Sequence, residues 1–258
     1  MSFAPQSPSV EGSAPQGIVV AVDGPSGSGK SSVSKGVARR LGLRYLDTGA
    51  QYRAMTYWML QNKIDVADSA AIAEAVDEPR LVSGTDPAHP VITVDGVDAS
   101  AEIRTAEVTA AVSAVSAVPA VRKRLIALQR EIIGAALGAE GTGGGPGAGI
   151  VVEGRDIASV VAPDATAKIF LTASEDARAQ RRNSEHGGGS GTVAATRDAL
   201  TRRDSADSRT NVLDAAPGAV VVDATELTLR QVVDRVCDIV LTAGTPTPAA
   251  DSQGVGQP

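Results

Sequence analysis

The chain has 258 residues, 43% of them hydrophobic and only 2% aromatic, so it can bury a sizeable core made mostly of Ala, Val, Leu and Ile. A net charge of −6 argues against a general nucleic-acid binder. No apolar run approaches the roughly 18–20 residues that cross a bilayer, one cysteine (Cys237) excludes an internal disulfide framework, and two isolated histidines, His89 and His186, argue against a histidine metal site or a serine–histidine nucleophile.

Residues 1–16 and 244–258 are rich in Pro, Ser, Ala, Gly and Gln and read as disordered tails around one folded domain, 17–243. The N-terminus has neither the basic start nor the apolar centre of a secretory signal, and a cytoplasmic protein is expected. Inside the domain, 18–23 reads as a buried strand, 30–41 as a helix, 44–46 as a short strand and 50–61 as a helix with Met55, Trp58 and Met59 as core candidates. A helix at 69–76 precedes a change of texture. Short strands at 80–83, 91–94 and 97–99, joined by turn-rich pieces, form a small antiparallel insertion. Helices follow at 105–118 and 121–136, separated by Pro119, and then a low-complexity loop at 138–149. Strands at 150–152, 168–171 and 219–223 alternate with helices at 174–186, 193–203 and 228–242. Strands separated by helices imply a mostly parallel sheet covered on both faces, an α/β three-layer fold.

The first strand runs into Gly24-Pro25-Ser26-Gly27-Ser28-Gly29-Lys30-Ser31, which matches G-x-x-x-x-G-K-[ST], the P-loop pattern, and opens a helix as that pattern requires. Small residues let backbone N–H groups turn toward phosphate oxygens, and the helix directs its positive end at the same anion. Lys30 adds a full charge for the β- and γ-phosphates, Ser31 a hydroxyl for Mg²⁺, and Ser32 extends the ATP-binding run. A glycine-rich turn with an exposed lysine is the plainer alternative.

Asp47-Thr48-Gly49-Ala50-Gln51-Tyr52-Arg53 follows the second strand, with Thr48 as a candidate helix cap and Arg53 one turn in. Glu153-Gly154-Arg155-Asp156 follows the apolar GIVV strand. Ligands collect at the carboxyl ends of strands in open α/β sheets, so three such ends bearing anion-binding groups imply two phosphate ligands end to end. Arg178, Arg181 and Arg182 share one helix face and, with Arg197, Arg202, Arg203 and Arg209, give seven arginines between 178 and 209. Two readings remain open for them: a salt-bridged surface helix pair, or an arginine-bearing lid at about 182–204 hinged at HGGGSG.

With VDGPSGSGKS, YLDTGAQYRA, AEIRTAEV, VSAVPAVRKRL, VEGRDIASVVAPDA and RRDSADS in family order, the chain resembles the bacterial cytidylate kinases of the nucleoside monophosphate kinase group, over about residues 18–240. The resemblance implies transfer of phosphate from ATP to CMP or dCMP with Mg²⁺, by a monomer without nucleic-acid or membrane partners. It implies that Gly29, Lys30 and Ser31 hold ATP phosphates and Mg²⁺, and that the insertion at about 77–118 belongs to the monophosphate-binding region. Tyr52, Arg53 and Arg155, with Thr48 nearby, would surround the CMP phosphate. Ser113, Arg122 and Asp156 would read cytosine, and Arg203 and Asp207 would complete the CMP site, Asp207 at the sugar. Arg178, Arg181 and Arg182 would close over the transferring group.

The chain departs from the family's commoner patterns in three places. Glu153 stands where aspartate is frequent, the glycine-rich loop 138–149 looks inserted, and Arg209 falls one position short of its expected place. Rival expectations are a small-molecule kinase acting on UMP or shikimate, and an ATP-sensing switch that transfers nothing.

Overall fold

The computed structural model describes residues 17–138, 149–185, 193–207 and 214–243. The predicted tails at 1–16 and 244–258, nearly all of the 138–149 loop, the HGGGSG link and Arg209 lie outside these residues.

The apolar run Ile18–Asp23 forms β1, and its buried valines need a partner strand on each side. It finds them in β6 (Gly149–Gly154) and β7 (Ala167–Thr172), both parallel to it. Outside these lie β2 (Arg44–Asp47) and β8 (Val220–Asp223), giving the order β2-β6-β1-β7-β8, parallel throughout. The fold class read from the strand–helix alternation is what the chain adopts.

One face of this sheet is covered by α1 (Lys30–Leu41) and α8 (Leu229–Ala243), which bury Val33, Val37, Val236 and Val240 against Val20, Val151 and Ile169. Helix α1 ends where sequence says it should: Gly42 takes a left-handed conformation, φ 66°, and donates to Ala38 O. On the other face, α5 (Pro119–Leu137) and a π-helical turn at Ile157–Val161 cover Ala21, Ile150 and Val152. Pro119 opens α5 at a position where a missing N–H costs nothing.

A second core lies beside the sheet. Helix α2 (Thr48–Gln61) packs Met55, Trp58 and Met59 against α3 (Ser69–Ala75), α4 (Ala106–Ala117) and an antiparallel sheet of β3 (Leu81–Ser83), β4 (Ile92–Val94) and β5 (Val97–Asp98). Helices α6 (Glu175–Glu185) and α7 (Val193–Asp207) pack on one another after β7. Among the described residues no helix is long and apolar enough to cross a membrane.

Two local expectations change. Helix α2 begins at Thr48, and Asp47 is its cap: the Asp47 carboxylate accepts from Ala50 N at 2.9 Å. A carboxylate outbids a threonine hydroxyl there because it meets both the orphan N–H and the helix dipole. The π-helical turn at Ile157–Val161 has no sequence forecast, since five apolar and small residues carry no period that distinguishes it from a loop.

Candidate active site

Strand β6 comes more than a hundred residues after β1 and β2, yet it inserts between them. The three segments singled out by sequence therefore leave adjacent parallel strands at the same sheet edge. They line one cavity of about 740 Å³ that takes in Ser26, Gly27, Gly29, Lys30, Ser31 and Ser32, then Thr48, Tyr52 and Arg53, then Glu153 through Asp156, with Ser113, Arg122 and Arg182 on its far walls.

The P-loop end is built for a polyanion. Gly29 caps α1 from a left-handed conformation, φ 94°, and has no side chain to spend on the helix's first N–H groups. Gly24 is obligatory: a Cβ there would come within 2.1 Å of Leu171 O. Pro25 contributes its carbonyl, which accepts from Lys30 Nζ at 2.8 Å. Burial pushes the Lys30 ammonium down to about 7, Arg155 adding to this while Glu153, Asp23 and Asp204 oppose it. The charge is therefore held at a cost that a bound anion would offset.

Ser31, Tyr45 and Glu153 line the same cavity. Tyr45 donates to Glu153 Oε1, and both side chains are buried. Burial first, and then Asp47, push the Glu153 carboxyl up to about 7, against Tyr45, Lys30 and Ser31. The longer glutamate is thus accommodated by the Tyr45 phenol. A hydroxyl beside a buried carboxylate is an all-oxygen donor set that suits Mg²⁺. Among the described residues no group of three His, Cys, Asp or Glu could hold a metal alone, so such an ion would take most of its ligands from phosphate and water.

At the other end, Arg53 is steered by α4 and the turn before it: its Nη1 donates to Thr109 Oγ1 at 2.9 Å and Ile103 O at 3.1 Å. Thr48 is buried and donates to Glu153 O at 2.8 Å, which ties α2 to the end of β6. Arg122 pairs with Asp156. The Tyr52 hydroxyl meets Gln129, and burial, reinforced by Asp156, raises it to about 12. Arg155 donates to Gly24 O and so bridges the two ends of the cavity.

The arginines of α6 divide. Arg182 reaches the cavity, whereas Arg178 and Arg181, expected over the transferring group, are drawn behind the P-loop. Arg178 is buried, donates to Ser26 O at 3.0 Å and pairs with Asp204, whose other oxygen accepts from Ser26 N at 3.1 Å. Arg181 donates to Ser28 O at 3.2 Å and to Ala224 O. The reason is geometric: β7 lies next to β1, so the start of α6 meets the glycine-rich turn and its arginines reach the carbonyls of Ser26 and Ser28. Arg203 and Asp207 belong to α7, but their side chains lie outside the described residues.

Sequence reasoning passed over Asp23, Tyr45, Asp47 and Asp204. A usable signal existed for Asp23, a carboxylate closing a fully apolar strand, which is costly unless partnered.

Comparisons with known proteins bear on most of the chain. The family model for cytidylate kinase matches residues 20–242. A cytidylate kinase of Streptomyces griseus is 59% identical over 225 residues, covering 86% of this chain and 92% of that one. A cytidylate kinase of Nocardia farcinica is 52% identical, covering 86% and 93%. Among solved structures, TT1252 from Thermus thermophilus aligns with a TM-score of 0.44 at 19% identity over 88% of this chain and 97% of that one, too loose a likeness to add anything. With the P-loop, the paired anion sites and a family match that spans nearly every described element, the chain belongs to the cytidylate kinase family.

Proposed function

We propose that this protein transfers the γ-phosphoryl group of ATP to CMP or dCMP, giving ADP and CDP or dCDP by in-line displacement. One observation carries the reading: Lys30 after β1, Arg53 after β2 and Arg155 after β6 face a single cavity. That is the charge distribution two nucleotides need when their phosphates meet.

The acceptor phosphate is an anion at neutral pH, so no strong base is required and catalysis rests on alignment and charge neutralisation. Lys30 and the P-loop N–H groups would hold the donor, Ser31 with the Glu153–Tyr45 pair would hold Mg²⁺, and Arg53, Tyr52 and Arg155 the acceptor. When bound, Mg²⁺ would neutralise part of the donor's phosphate charge. Arg182 lines the same cavity and would close over the transferring group. Arg122 and Asp156 suit cytosine: the carboxylate accepts from N4, and the guanidinium donates to N3 or O2. Uracil reverses two of those polarities, and one mispaired buried group costs about 1–3 kcal/mol.

The test is ADP release measured over a panel of acceptors. CMP and dCMP should drive it, with UMP at least about tenfold poorer and shikimate inert. Release that ignores the acceptor would return the protein to an ATP-sensing switch.

A further inference from the structure

Asp23 is the last residue of β1 and directly precedes the P-loop; beyond the support its charge lends Lys30, its side chain is bonded to a different segment. It is 5% exposed. Its Oδ1 accepts from Ile157 N at 2.9 Å and its Oδ2 from Ala158 N at 2.8 Å. These are the first two N–H groups of the π-helical turn that follows Asp156. The next residue, Gly24, accepts from Arg155 through its carbonyl. The last residue of β1 and the residue after it thus pin positions 155, 157 and 158, on both sides of Asp156.

The N-cap of this turn is Asp156, and an aspartate there ordinarily turns its carboxylate back onto the first free N–H groups. Asp156 makes no such bond. Its carboxylate pairs with Arg122 and borders the cavity. The capping has been handed to a second carboxylate on a neighbouring strand. Sheet register makes this possible, because Asp23 lies opposite Gly154, a residue pair below the turn. Space makes it tight: a Cβ at Gly154 would meet Ile157 Cδ1 at 2.6 Å and Thr48 Oγ1 at 2.7 Å, so the loop has one way to leave the strand.

We infer that Asp23 is a positioning residue for acceptor recognition: by capping the 157–161 turn from β1, it leaves the Asp156 carboxylate unspent for the acceptor base and holds Arg155 beside the acceptor phosphate. This rests on the cytosine reading given above. It places the determinant of base choice in the residue that precedes the ATP-binding loop, where substitution would be expected to harm ATP binding.

Asp23→Asn tests it. The amide has one accepting oxygen and turns its NH₂ against the second N–H, so one of two bonds is lost and Asp156 is drawn back to cap. The full chain is assayed for CMP and UMP phosphorylation, and ATP binding is measured by calorimetry. The expected result is a CMP KM raised about tenfold, a CMP-to-UMP preference reduced by a similar factor, and an ATP affinity that falls by clearly less than the CMP affinity, since Glu153 and Asp204 still support the Lys30 charge. Equal loss of ATP and CMP affinity, or an unchanged CMP-to-UMP preference, overturns the inference. A parent chain that does not discriminate CMP from UMP fails the cytosine reading itself, before the variant is consulted. Should the variant not fold, amide hydrogen exchange on the parent decides: Ile157 and Ala158 should exchange far more slowly than Arg155 and Asp156, and equal rates contradict the capping.

Discussion

Lys30 carries a positive charge that the protein groups around it stabilise poorly. Burial and Arg155 together press its ammonium toward neutrality, and the carboxylates of Glu153, Asp23 and Asp204 resist only in part. The fold therefore does not depend on this charge, while a triphosphate does. Lys30→Ala is expected to lower turnover by about two orders of magnitude or more, as loss of a strong transition-state contact does, with the urea midpoint of unfolding nearly unchanged. Near-normal turnover would remove Lys30 from the chemistry. Asp156 gives the second prediction at this scale. Asp156→Asn keeps size but exchanges one acceptor for a donor facing Arg122 and the base. Its CMP-to-UMP preference should fall about tenfold, with kcat on CMP less affected than KM. A preference equal to that of the parent in a competition assay would free Asp156 from the base.

Helices α6 and α7 act on the P-loop from behind, and the Arg178–Asp204 pair is their fastening. Both side chains are largely buried, and each also engages Ser26, one through its carbonyl and the other through its N–H. Truncating one partner of such a pair strands the other without water. Arg178→Met should cost about 3 kcal/mol in denaturant unfolding and weaken ATP more than CMP, since Ser26 belongs to the donor loop. Unaltered stability would mean the pair is solvated and incidental. This fastening was not legible in the sequence. Arginines at i, i+3 and i+4 amid acidic residues look the same on a wet surface and in a buried clamp, and only the adjacency of β7 to β1 separates the two. Most elements were legible, because valine-rich runs, Pro119 and Gly42 are local signals. The P-loop was legible for the same reason. The turn at Ile157–Val161 and the role of Asp23 were not, because each depends on a partner from another part of the chain; the cap at Asp47 is local, and was missed because Thr48 beside it is also a capping type.

Over the whole molecule, topology converts distant motifs into one site. Had β6 joined the sheet at an edge, Arg155 and Asp156 would open away from Lys30. Its insertion between β1 and β2 brings donor and acceptor groups to one rim, and Arg155 links them through Gly24. The second core around α2, α4 and the small antiparallel sheet carries Tyr52, Arg53 and Ser113 on elements separate from the P-loop strand. Loss of acceptor contacts should therefore leave donor binding largely intact. Arg53→Ala is expected to weaken CMP about tenfold or more while ATP binding, followed by calorimetry, stays within about twofold; the reverse order would reassign Arg53 to the donor.

The most direct measurement follows the fate of the transferred group. With γ-labelled ATP and CMP, the label should appear in the β-phosphate of CDP at the rate ADP forms, with little free phosphate. Label recovered chiefly as inorganic phosphate, at a rate indifferent to CMP, would contradict two nucleotides meeting in the cavity between Lys30 and Arg53.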